Sequence, residues 1–150
     1  MRLSIIRGFL LMLASLACVA PWAVGDDAGN EESVNATVAR KVVAYYFHGN
    51  ARCATCRKIE AYSEEAIRSG FESKLSDGRL EWRVVNIDES QNMHFVQDFQ
   101  LVTKSLVLAE YNDGEVVRWE NLKDVWQLVR SKDRFVDYVQ TRTREFLAEG

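Results

Sequence analysis

The chain reads as an α/β domain with a central mixed four-stranded sheet flanked by helices. Three observations predict this. Elements with strand composition alternate with helical stretches, in the order strand, helix, strand, helix, strand, strand, helix. The first strand is apolar along nearly its whole length, as a strand covered on both faces must be. The last two strands are joined by Asn112-Asp113-Gly114, a tight-turn sequence that forces antiparallel pairing.

The elements follow in order. Lys41–His48, KVVAYYFH, is rich in β-branched and aromatic residues and is the first strand. From Cys56 to about Leu75, the residues Ile59, Tyr62, Ala66, Ile67, Phe71 and Leu75 recur at helical spacing, interrupted by Gly70. Ser76-Asp77-Gly78 is a turn. Leu80–Asp88 has strand composition, and Val84, Val85 and Ile87 are expected to be buried. Two strands linked through a helix are expected to run parallel. A short helix through QNMHFVQDF follows, capped by Ser90 or Asp88, with Met93, Val96 and Phe99 inward. Ser105–Tyr111 and Glu115–Trp119 are the hairpin strands. Helices over about Asp124–Val129 and Asp133–Ala148 close the chain. The first carries Val125, Trp126 and Val129. The second has Phe135, Tyr138, Val139, Phe146 and Leu147 near one face. Trp82, Trp119 and Trp126 read as packing residues.

The chain has 150 residues and is 47% hydrophobic, enough for one domain with a real core. Residues 1–25 stand apart as an export signal. Arg2 and Arg7 precede the apolar run GFLLMLASLACVA, and Ala23-Val24-Gly25 offers a small-x-small cleavage site. The run is short of the about 20 apolar residues a membrane span needs. Residues 26–37 then form a flexible leader and 38–150 the folded domain. A retained anchor is one alternative. Lipidation at Cys18 is another, because Ala17 precedes it, although Ser15 stands where a large aliphatic residue is usual. Cleavage takes the 19 Lys and Arg residues to 17 against 22 Asp and Glu, a net charge of −5. That balance argues against a nucleic-acid partner. Cleavage leaves Cys53 and Cys56 as the only cysteines, in a compartment where disulfides persist.

The stretch HGNARCATCRK, His48–Lys58, carries the chemistry. It places a Cys-x-x-Cys pair where a buried strand gives way to a helix. Three features favour a thiolate at Cys53. Unpaired N–H groups at a helix start favour negative charge, Arg52 precedes it, and Arg57 and Lys58 follow in the first turn. His48, five residues upstream, is a candidate proton partner or a half-buried strand-end residue. Lys104 points at the pair or is a solvated loop lysine. Other readings of the pair remain. A structural bridge closing so short a loop removes little unfolded-state entropy. Zinc would need Cys53, Cys56, His48 and His94 to converge. A soft ion such as copper(I) or trivalent arsenic needs only the two thiolates.

This motif, its placement and the later LVLAEYNDGE hairpin resemble the thioredoxin superfamily. The likeness runs from about Val38 to the C-terminus. YYFHGNARCATCRKIE is more narrowly similar to small exported thioredoxin-like proteins described as nitrophenyl-compound nitroreductase subunits and found with arsenic-resistance functions. The resemblance implies a thiol-disulfide oxidoreductase with no cofactor beyond the redox-active Cys53–Cys56 disulfide. Cys53 would attack and Cys56 resolve. A protein disulfide would be the substrate. A membrane thiol electron carrier or a larger reductase would be the partner, and the periplasm the location. An arsenite- or copper-binding module and a non-catalytic accessory subunit are the alternatives.

The chain departs from the family pattern in two places. The family's cis-proline before the third strand is replaced by Val102-Thr103-Lys104-Ser105, and the only proline is Pro21. A cis bond before a non-proline residue costs about 2.5–4 kcal/mol, so this peptide is expected to be trans. The first strand also lacks the family's buried acid. A tyrosine there can donate a hydrogen bond but is no base near neutral pH.

Overall fold

A computed structural model describes residues 40–149. The expected signal, leader and Cys18 lie outside the described residues. Strand β1 spans Lys41–His48, and helices α1 and α2 span Ala54–Gly70 and Glu72–Ser76. Strand β2 is Leu80–Asn86. A 3-10 turn, Ser90–Asn92, leads into α3, His94–Asp98. The hairpin is β3, Ser105–Asn112, and β4, Glu115–Asn121. Helices α4, Val125–Leu128, and α5, Lys132–Ala148, end the fold. The sheet order is β2-β1-β3-β4, with β1 parallel to β2 and the other neighbours antiparallel. This is the mixed four-stranded α/β architecture read from the sequence.

The apolar run of β1 is divided between two cores by strand alternation. Val42, Ala44 and Tyr46 face α1 and α5, where they meet Ile59, Ile67, Phe135 and Val139. Val43, Tyr45 and Phe47 face the other way, onto Phe99 and Leu101. Full burial of each large side chain contributes about 1.5–3 kcal/mol. β1 is central because both of its faces are apolar. The hairpin closes at Asp113 and Gly114, both at positive φ (53° and 84°), a conformation glycine adopts without strain.

Several expectations are corrected. The Cys56–Leu75 helix starts at Ala54 and breaks after Gly70. The α5 residue Gln140 reaches in there, its Nε2 donating to the Ala66 carbonyl at 3.1 Å and to Ser69 Oγ at 3.2 Å. A Cβ at position 70 would press on the Gln140 side chain, which would have to shift to admit it. Val84 is 41% exposed, because β2 is an edge strand and its far end is left uncovered. Met93 is 59% exposed, whereas Phe99 is buried as expected. The helix there is too short for a full inward face, and neither Ser90 nor Asp88 caps it with a side-chain hydrogen bond.

Candidate active site

The site forms where β1 ends. His48 closes the strand, Gly49 to Arg52 make the connection, and α1 begins after Cys53. Ser105 of β3 pairs with Phe47, so the Val102–Lys104 loop sits at the same end of the sheet. Gly49 and Ala51 on one side and Leu101 to Lys104 on the other line a cleft of about 240 Å³. Val102 stands on its rim, 95% exposed. All described peptide bonds are trans, including those of this loop.

Cys53 and Cys56 are joined as a disulfide, with their Cα atoms 5.1 Å apart. Cys53 is the N-cap of α1, in extended backbone, and its Sγ accepts the Cys56 N–H at 3.1 Å. The sulfur does what a Ser or Asp oxygen does at other helix starts: it satisfies a donor that has no partner within the helix. The same donor and the helix dipole stabilise a Cys53 thiolate once the bond is reduced. Cys53 is exposed, whereas Cys56 is 2% exposed. The first cysteine therefore faces solvent and the second does not.

The tyrosine beneath the pair is Tyr46. Its hydroxyl donates to the Cys56 carbonyl at 2.7 Å. Burial pushes its pKa up to about 12, against a smaller opposing pull from the Arg52 charge. It is a donor and not a base, as the sequence implied. Tyr45 points to the opposite face and shares a hydrogen bond with the Tyr111 hydroxyl at 2.9 Å.

The basic residues divide. Arg52 is half-buried and ion-paired with Glu60. The pair sets an opposite charge on α1 against it. Arg57 and Lys58 are exposed, and Arg57 Nη2 donates to the Arg52 carbonyl at 3.2 Å. His48 is half-buried at the strand end. Its Nδ1 lies 3.0 Å from the Gly49 carbonyl and its ring stacks on Tyr46. Lys104 is half-buried beside the cleft, and its carbonyl accepts Trp126 Nε1 at 3.0 Å, anchoring the loop to α4.

The two histidines stand apart. His94 sits on α3 with its Nδ1 2.7 Å from Asp98 Oδ2, in a different cleft lined by Phe95, Tyr111 and Trp119. Among the described residues no three His, Cys, Asp or Glu side chains gather as a metal site would need.

Sequence reading missed three supporting residues. Asp88, just past β2, accepts the Asn50 N–H at 2.7 Å, and Asn86 Nδ2 donates to Asn50 Oδ1 at 2.8 Å. Together they tie the loop before Cys53 to the neighbouring strand. That pairing of residues 38 apart leaves no local signal. Glu60 did leave one, because positions four after Cys56 and seven after Cys53 fall on one helix face.

No protein-family model matches the chain, and no curated protein matches it. Among solved structures it is similar to a thioredoxin of Fasciola hepatica: 15% identity, TM-score 0.41, covering 77% of this chain and 86% of that one. It is also similar to the oxidised thioredoxin of Plasmodium falciparum: 17% identity, TM-score 0.36, covering 63% and 84%. Likeness at this level says nothing of activity. The fold is nevertheless thioredoxin-like by its own connectivity. A parallel β1-α1-β2 unit is followed by an antiparallel hairpin and a closing helix, with a Cys-x-x-Cys disulfide at the start of α1.

Proposed function

We propose that this chain is a thiol-disulfide oxidoreductase that cycles its Cys53–Cys56 pair between disulfide and dithiol. One observation carries the reading: an exposed Cys53, its sulfur held at a helix N-terminus by a backbone N–H, is backed by a buried Cys56. A structural bridge has no use for that asymmetry.

In the reducing direction the Cys53 thiolate attacks one sulfur of an acceptor disulfide. An S–S bond forms to Cys53, the acceptor bond breaks, and its other sulfur leaves as a thiolate and takes a proton. Cys56 then gives up its proton and attacks Cys53 Sγ. The intramolecular disulfide closes and the second acceptor thiol departs. Two electrons and two protons have passed to the acceptor, and a dithiol donor restores the pair. The cleft beside Lys104 is the place for the acceptor chain. The trans loop before β3 gives it a different surface from a proline-bearing one.

The export signal in the sequence supports work outside the cytoplasm, with a membrane thiol carrier or larger reductase as donor and a protein disulfide as acceptor. The YYFHGNARCATCRKIE resemblance supports a nitro-compound or arsenic-related system as its setting. The test is exchange with insulin or glutathione disulfide, with and without arsenite. Cys53→Ser should abolish exchange, and Cys56→Ser should accumulate a mixed disulfide. Full activity in Cys53→Ser, or stoichiometric arsenite capture with no exchange, would overturn the proposal.

A further inference from the structure

We propose that Glu60 is a positioning residue that clamps the Arg52 guanidinium, cancelling its charge beside the cysteines and keeping the pair more reducing than its basic surroundings would make it. The inference rests on the oxidoreductase reading and deepens it.

Arg52 immediately precedes Cys53, and Glu60 lies on the helix face that carries both cysteines. The two side chains form an ion pair while only 30% and 22% exposed. Arg52 Nε and Glu60 Oε2 are both closed off from solvent. Water therefore screens this pair less than a surface pair. The cluster is filled by groups of known engagement. Tyr46 is neutral and bonded to the Cys56 carbonyl, His48 lies against Gly49, and Asp88 holds Asn50. Arg57 and Lys58 are exposed to solvent, and Lys104 lies across the cleft. Glu60 is thus the carboxylate that α1 sets against the cation nearest Cys53 in sequence.

A cation near a thiolate lowers the thiol pKa. It favours the reduced pair over the disulfide, which carries no charge to stabilise. An uncompensated Arg52 would therefore make the pair more oxidising. With Glu60 bound to it, much of that effect is cancelled.

The test uses Glu60→Gln, Arg52→Gln and the double variant of the full chain. Two quantities are measured: the Cys53 thiol pKa, from the pH dependence of iodoacetamide alkylation, and the equilibrium with a glutathione buffer. Glu60→Gln should lower the pKa and shift the equilibrium toward the dithiol about threefold to tenfold, or about 15–30 mV. Arg52→Gln should move both in the opposite sense. The double variant should return close to wild type, since both charges are gone together. A double variant whose pKa stays raised, like Arg52→Gln, overturns the clamp, and that comparison holds even if Glu60→Gln alone does not fold. An unchanged pKa in folded Glu60→Gln overturns it as well. Should wild type fail to exchange with insulin at all, the oxidoreductase reading falls, while the alkylation pKa values still report on the clamp.

Discussion

Tyr46→Phe isolates the hydrogen bond under the disulfide. The substitution removes one oxygen and leaves the ring in place, with the residue 0% exposed. The lost bond is 2.7 Å long and reaches a buried partner. A neutral hydrogen bond contributes about 1 kcal/mol net, and a carbonyl left short of a donor adds to the loss. The expected destabilisation is therefore about 1–2 kcal/mol. For urea slopes at the lower end of the usual about 1–3 kcal/mol/M, the midpoint falls by about 1 M. A second readout follows from ionisation. The folded tyrosine has its pKa raised above the ordinary value of 10.0 to about 12. Its stabilising contribution is complete below the unfolded value and is lost as pH rises through the folded one. Wild type should lose stability across pH 10 to 12 more steeply than Tyr46→Phe. Between pH 6 and 9 the exchange profile of the variant should keep its shape, because Tyr46 is not a base there. A midpoint within error of wild type would refute the structural part. A profile that loses an inflection near neutrality would refute the chemical part.

Three further outcomes follow from the structure. Asp88→Ala should cost about 1 kcal/mol by freeing the Asn50 amide, read as a lower urea midpoint, and should slow exchange by loosening the loop before Cys53. Glu110 is 5% exposed. Burial raises its pKa, but hydrogen bonds and charge from Arg118 and Arg40 outweigh that and hold it below the ordinary carboxylate value. Its contribution is present above the unfolded pKa and lost as pH falls through the folded one, so acid unfolding of Glu110→Gln should depend less on pH than that of wild type. Thr143 Oγ1 is buried without a partner among the described residues. Thr143→Val should raise the unfolding midpoint, worth about 1 kcal/mol, because the desolvated hydroxyl is replaced by a methyl.

The alternating elements, the continuous apolar strand and the Asn-Asp-Gly turn were legible because each is a local pattern that maps directly onto backbone geometry. Val84 and Met93 were misplaced for one reason. Hydrophobicity says that a residue can be buried, but whether a neighbour covers it depends on strand order and helix length. The break after Gly70 was visible as a weak spot, but Gln140, which packs against it, lies 70 residues away.

By itself, the sequence determined that Cys53 and Cys56 stand between a buried strand and a helix N-terminus, with no acid on that strand and no proline on the loop opposite. Spacing and composition suffice for these, since a helix cap and a two-sided strand are properties of adjacent residues. Only the tertiary structure decided how the surrounding charges count. Arg52 is a cation beside Cys53 when read along the chain and one half of an ion pair once α1 brings Glu60 against it. Electrostatic influence depends on distance, burial and the nearest opposite charge, and those are set by packing rather than by order in the chain.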